Sequence, residues 1–267
     1  MNDPIKNGAE LVAEIEQTRV QTPTLWWLGH SGFAIKFANI LFFVDPCLAA
    51  IPGRVRLSPS PFTPQSITSA DLILCSHAHE LHMNGPTLSE MLRSSRRAKV
   101  VLPKSTAEHA RTLGVPFERM TTTDADLRVE YFKEGQYGRV YAVPSAHHRL
   151  DWTPTGGFPY LGYLIRFGAD TIYHPGDCVL YDDLAQRLKP YNVTIALLPI
   201  AGRNFSIQEA AQLAEDIGAR WLVPMHYGTF ADDGGNVNRF IEHMLGHRPE
   251  QRFKVFQCGE KWTVPED

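Results

Sequence analysis

The chain has 267 residues and a formal net charge of −3; 43 % of its residues are hydrophobic, 21 % charged and 10 % aromatic. That balance describes a folded globular chain rather than a disordered one, and it offers no basic surface that would make nucleic acid or anionic lipid an expected partner. Residues 1–17 carry no cationic segment ahead of an apolar core, and no run approaches the ~20 apolar residues of a spanning helix, so neither a signal peptide nor an integral membrane segment is expected.

The four cysteines, Cys47, Cys75, Cys178 and Cys258, are far apart and form no CxxC pair. Buried free thiols in a reducing, cytoplasmic setting are the expectation. In chain order, residues 9–18 predict a helix with Leu11, Val12 and Ile15 on one side. TLWWLG and FAIKF predict a strand pair around the turn HSG, and ILFFVD a strand stopped by Pro46. Residues 47–68, with Gly53, Pro59, Pro61 and Pro64, read as an irregular loop.

Strands and helices then alternate. DLILCS, KVVLP, RVYAVPSA, YLGYLIRF, TIYHPGD, VTIALLP and RWLVPMH predict strands. TLSEMLRSS and TAEHARTLG predict helices, the second ending on Gly114. SIQEAAQLAEDIG predicts a helix capped by Ser206. A helix near NVNRFIEHML and a strand near RFKVFQ close the chain. Such alternation predicts an α/β layered architecture, and the absence of a repeat or linker predicts one domain over 1–267.

The chemistry gathers where the apolar strands end. ILFFV releases Asp45, DLILCS releases His77, His79, Glu80, Leu81 and His82, RVYAVPSA releases His147 and His148, TIYHPG releases Asp177, and RWLVPM releases His226. Functional groups collect at such ends because a rigid strand fixes the root of each loop. Imidazoles and a carboxylate suit a borderline divalent cation such as Zn²⁺ or Mn²⁺, and His77 and His79 share a side of an extended segment. Of the neighbours His147 and His148, the first is the expected ligand and the second lies behind it or meets substrate. Asp45 is expected to accept an N–H from a ligating imidazole.

The stretches TLWWLGHSGFAIKF, FFVDP, SHAHELH, VPSAHH, YHPGDCVLYDDL and VPMHYGTF resemble the metallo-β-lactamase superfamily, and within it the L-ascorbate-6-phosphate lactonase-like branch. MHYGTF is also similar to members of the N-acyl-phosphatidylethanolamine phospholipase D-like type. The resemblance covers nearly the whole chain. It implies a metallo-β-lactamase-type four-layer αββα sandwich and metal-dependent hydrolysis of a lactone or phosphoester on a small anionic molecule. It further implies a first cation on His77, His79 and His147, Asp177 shared between two cations, and the second cation on His82 and His226.

One position departs from the family's His-x-His-x-Asp-His motif: Leu81 stands where the aspartate belongs, with Glu80 just before it. The expectation is therefore one tightly bound Zn²⁺ or Mn²⁺ and a weak or empty second position. A bound cation can bring the pKa of its water to about 7. Asp177 is expected to hold that nucleophilic water, Glu80 to serve as a substitute base and His30 to face the site and donate to substrate. Arg203, Asn204 and Arg149 are candidate contacts for the anionic small-molecule substrate. Association of copies of the chain into a homo-oligomer is left open. Two competing readings follow from the same residues: a phosphodiesterase, and a metal-binding descendant made non-catalytic by Leu81.

Overall fold

Leu25 and Trp27 face one way and Trp26 and Leu28 the other, as the two-residue period of a strand requires. The same division runs through three neighbouring strands, β1 (Thr24–Gly29), β2 (Gly32–Phe37) and β3 (Ile40–Val44), every residue of which is buried. Leu25, Trp27, Phe33, Ile35, Phe42 and Val44 enter one hydrophobic core; Trp26, Leu28, Ala34, Leu41 and Phe43 enter another. Strands covered on both faces need a layer on each side, which is why these segments read as nearly continuous apolar runs.

A computed structural model describes residues 3–265. In the first sheet β1, β2 and β3 are joined by β4 (Leu72–Leu74), β5 (Lys99–Pro103), β6 (Met120–Thr123) and β13 (Lys261–Thr263), in the order β13-β1-β2-β3-β4-β5-β6. The second sheet contains β7 (Arg128–Lys133), β8 (Gln136–Pro144), β9 (Leu161–Phe167), β10 (Asp170–His174), β11 (Ile195–Pro199) and β12 (Trp221–Met225), in the order β12-β11-β10-β9-β8-β7. Helices α1 (Gly8–Gln17), α2 (Gly85–Ser94) and α3 (Ala107–Thr112) cover the outer face of the first sheet, burying Leu11, Ile15, Leu88, Met91 and Ala110. Helices α4 (Leu184–Leu188), α5 (Ile207–Asp216) and α6 (Val237–His247) pack on the second through Leu184, Leu188, Ala210, Leu213 and Phe240. The result is the αββα sandwich.

Ser206 caps α5: its hydroxyl accepts from the Glu209 N–H at 3.1 Å while the Glu209 carboxylate accepts from the Ser206 N–H at 2.8 Å, a reciprocal capping box. The closing strand lies elsewhere than RFKVFQ suggested. That stretch makes a single bridge, Leu222 to Phe253, and its apolar residues pack against the core instead. On the side away from β2, β1 pairs with β13, with Thr24 opposite Thr263 and Trp26 opposite Lys261; it covers an edge that would otherwise stay open.

Lys36 on β2 is 1 % exposed, and its ammonium donates to the Glu16 carbonyl at 3.3 Å, in the last turn of α1. Burial, aided by Arg19 and Lys133, brings its pKa down to about 8. Between pH 8 and the unfolded value of 10.5 the unfolded chain holds a proton that the folded chain has released, so raising pH favours folding there. Wild type is expected to gain up to about 3 kcal/mol relative to Lys36→Met across that window, measured as the difference in denaturant unfolding at pH 7 and pH 10.5. An unchanged difference would show that the ammonium is not desolvated.

Candidate metal centre

The strand polarities bring the strand-end residues to one rim. In the first sheet β1 is antiparallel to β2, β2 to β3, and β3 is parallel to β4, so the carboxyl ends of β1, β3 and β4 point the same way. In the second, β8 and β10 flank the antiparallel β9, and β10, β11 and β12 are parallel. Asp45, His77, His147, Asp177 and His226 each follow one of these ends, as does His30 after β1.

Asp177 sits at the centre with its two oxygens facing different neighbours. Oδ2 lies 3.4 Å from His147 Nε2 and 3.8 Å from His77 Nε2. Oδ1 lies 3.2 Å from His226 Nε2 and 3.3 Å from His82 Nε2. His77 Nε2 and His79 Nδ1 are 2.9 Å apart. Two groups of potential ligand atoms result, each within 4.8 Å: His77, His79, His147 and Asp177, and His30, His82 and His226.

Asp45, wholly buried, fixes the orientation of two of these rings. Its carboxylate accepts from the Ser76 N–H at 2.7 Å, the Ser76 hydroxyl at 2.6 Å and His82 Nδ1 at 2.7 Å. With its proton given to Asp45, the Ser76 oxygen accepts from His77 Nδ1 at 3.0 Å. Both imidazoles therefore carry their Nδ1 proton outward and turn Nε2 toward Asp177, the arrangement a metal-ligating histidine needs. His148 Nε2 lies 3.0 Å from His147 Nδ1 in the same way. His174 is a support: its Nε2 donates to the Ser31 carbonyl at 2.7 Å and its Nδ1 accepts from the Gly176 N–H at 3.1 Å.

The charges respond to this crowding. Burial opposes ionisation of Asp177, but His82, His147 and His226 hold its pKa well below the ordinary carboxylate range. Burial likewise opposes protonation of His82, yet Asp177 and Asp45 outweigh it and lift its pKa to about 10. Burial keeps His77 and His30 well below the ordinary imidazole value, so both are neutral. Imidazoles and an ionised carboxylate are the donor set that a borderline divalent cation takes, and such a cation would displace the proton that His82 otherwise holds. Three site residues, His30, Asp45 and His226, have φ of +51°, +43° and +65°. Non-glycine residues rarely adopt this region, and such strain concentrates at functional sites.

A cavity of about 430 Å³ opens over the cluster, with His79, His147 and Asp177 in its floor and Arg54, Glu80 and Asp232 at its rim. Glu80 is exposed and Leu81 half-buried; Leu81 packs against Cys47, Ile51 and Phe230. His30 is wholly buried and lies beneath the cluster, its ring 3.8 Å from that of His226, so the expected donation from its ring to substrate does not match its placement. Asn204 braces Asp177: its amide donates toward Asp177 Oδ1 at 3.4 Å, and its carbonyl oxygen accepts from the Cys178 N–H at 2.8 Å. Arg149 is exposed beside Asp151, at 3.0 Å, and Arg203 is exposed. None of these three lines the cavity.

Ser76, Arg54, Asp232 and Asp233 escape sequence reasoning. Arg54 comes from the irregular loop and pairs with Asp232 at 3.0 Å. Asp233 is 3 % exposed, and its Oδ2 accepts from the Thr229 and Phe230 N–H groups at 2.8 Å each. The signal for Asp233 was its position seven residues beyond His226, within the loop that leaves the end of β12. The four cysteines are free and buried, and no helix among the described residues is long and apolar enough to cross a membrane.

Residues 39–227 match the family model described as the beta-lactamase superfamily domain. The chain therefore belongs to the metallo-β-lactamase superfamily and, within it, to the metal-dependent hydrolases. It is 30 % identical over 253 residues to a UPF0173 metal-dependent hydrolase of Hyperthermus butylicus, covering 88 % of this chain and 96 % of that one. A second UPF0173 metal-dependent hydrolase, from Thermococcus kodakarensis, is 30 % identical over 244 residues with the same coverages. Among solved structures, Igni18, a metallo hydrolase from Ignicoccus hospitalis, superposes with a TM-score of 0.71 at 23 % identity, over 92 % of this chain and 100 % of its own. An isothiocyanate hydrolase from Delia radicum gut bacteria gives 0.72 at 15 % identity, over 91 % and 100 %; likeness at that level concerns the fold.

Proposed function

We propose that the chain hydrolyses a lactone or phosphoester of a small anionic molecule, in the manner of the L-ascorbate-6-phosphate lactonase-like branch. One divalent cation, Zn²⁺ or Mn²⁺, would be held by His77, His79, His147 and Asp177. The observation that carries the reading is the Asp177 carboxylate, ionised and set among imidazoles at the floor of a cavity. When bound, such a cation acidifies water and polarises a carbonyl or phosphoryl oxygen.

The chain's own residues supply the remainder. Asp177 Oδ1 and Oδ2 accept hydrogen bonds and so orient a water above the floor. Glu80, exposed at the rim, takes up the proton that water loses. Arg54 attracts the anionic substituent; its pairing with Asp232 is exposed enough to exchange for a substrate carboxylate or phosphate. A volume of about 430 Å³ suits a small molecule rather than a polymer. Arg149 and Arg203 would meet only a substrate that extends past the rim.

One observation favours a second reading: Leu81 lies in an apolar cluster, where it neither binds a cation nor takes a proton. A chain that holds a cation without turnover is the outcome to test against. Protein loaded with Zn²⁺ or Mn²⁺ is expected to hydrolyse members of a lactone panel or bis(p-nitrophenyl) phosphate, and to lose that activity to a chelator. Turnover of the phosphodiester alone would move the assignment to the phosphodiesterase type. Fully loaded protein inert toward both classes would favour the non-catalytic reading.

A further inference from the structure

Leu81 removes the carboxylate that the resemblance assigns to a second cation. We propose that His30 takes its place, so that the chain holds a second divalent cation on the imidazoles of His30, His82 and His226, with Asp233 orienting the His30 ring from behind. This deepens the reading of the first site as a cation centre and rests on it.

The ligand atoms are already together. One nitrogen from each of the three rings lies within 4.8 Å of the others, a separation that bonds of about 2.1 Å close with small shifts. His30 is 0 % exposed, yet neither of its ring nitrogens has a hydrogen-bond partner, and His226 Nδ1 lacks one as well, while His82 Nε2 has the Asp177 carboxylate at 3.3 Å. Buried polar atoms are ordinarily satisfied, and an imidazole with both nitrogens bare carries the full cost of desolvation. A cation coordinated by one nitrogen removes that cost.

The backbone holds His30 in place for such a role. Its N–H donates to Thr229 Oγ1 at 2.6 Å, and its carbonyl accepts from the His226 N–H at 2.9 Å and Trp27 Nε1 at 3.0 Å. These bonds clamp a residue in the left-handed region and tie two of the proposed ligands through one hydrogen bond. Asp233 Oδ1 has no partner and lies 3.7 Å from His30 Nε2, slightly beyond hydrogen-bond range. That is the place of the carboxylate behind a ligating histidine, which selects its tautomer. The Asp233 carboxylate, together with the Asp177 oxygen that faces His82 and His226, would offset part of the added charge.

The test is the number of ions per chain. Metal-free protein titrated with Zn²⁺ and then gel-filtered is expected to retain two equivalents. His30→Ala should retain one, and the double variant His30→Ala/Leu81→Asp should regain the second, because it restores a carboxylate where the family motif has one. Asp233→Asn should weaken only the second equivalent, by roughly 10–100-fold, and Glu80→Gln should leave both. Wild type holding a single equivalent, or His30→Ala holding two, overturns the proposal; the wild-type count decides this even if the His30 variant fails to fold. Retention of two ions by His79→Ala would instead count against the first site and the proposed function.

Discussion

His79→Ala is expected to lose the first cation and, with it, hydrolysis, while the fold persists. His79 projects from the loop after β4, and its ring is exposed on the cavity floor. Removing an exposed side chain opens no buried cavity, and the contact it gives up is that of its Nδ1 with His77 Nε2 at 2.9 Å, where water can enter from the cavity, so unfolding of the metal-free protein should shift by no more than about 1 kcal/mol. The remaining donors, His77, His147 and Asp177, leave a cation one bond short. Loss of a partner behind a ligand already costs roughly 10–100-fold in affinity or activity, and loss of a ligand itself should exceed that. Zn²⁺ titration and hydrolysis rates measure the effect; a variant that binds and turns over like wild type would exclude His79 from coordination.

Asp45→Ala should damage both stability and binding. The Asp45 carboxylate is wholly buried and receives three donors, from the Ser76 N–H, the Ser76 hydroxyl and His82. Alanine leaves them unsatisfied and takes from His82 one of the two carboxylates that support its charge. Breaking a buried charged pair costs about 3–5 kcal/mol, to be read in denaturant unfolding of metal-free protein. In the loaded protein His82 loses the bond that selects its tautomer, and Ser76 is freed to turn its proton toward His77, so Zn²⁺ affinity should fall by roughly 10–100-fold. A loss under 1 kcal/mol with unchanged affinity would mean that Asp45 merely fills space.

The two variants probe opposite ends of one design. His79 depends on its position in a loop, whereas Asp45 acts through Ser76 on rings from the next strand end. The first is visible as a letter in a motif. The second acquires its role from a serine whose single proton can go to only one partner, a constraint that exists once Asp45, Ser76, His77 and His82 are packed together.

Much of the architecture follows from local pattern. Nearly continuous apolar runs placed β1, β2 and β3, and Ser206 read as an N-cap placed the start of α5. The weak elements were those with little apolar periodicity. Solvent-facing β7 alternates exposed and half-buried residues, and β6 and the three-residue β13 exist because a neighbouring edge accepts them. RFKVFQ had the alternation of a strand but found its packing surface without one.

By itself the sequence determined which side chains could carry the chemistry: strands that end in histidine or aspartate, and a motif with leucine in an acidic position. These are properties of short spans, where spacing and residue type suffice. Tertiary structure alone decided that His30 is sealed beneath His226 rather than open to substrate, that Asp45 reaches Ser76 and His82, and that Arg54 and Asp233 join the site. Each of these depends on contacts across about 30 to 200 positions, and the placement of His30, Asp45 and His226 also on backbone turned into the left-handed region, where the surrounding packing, not local preference, sets the conformation.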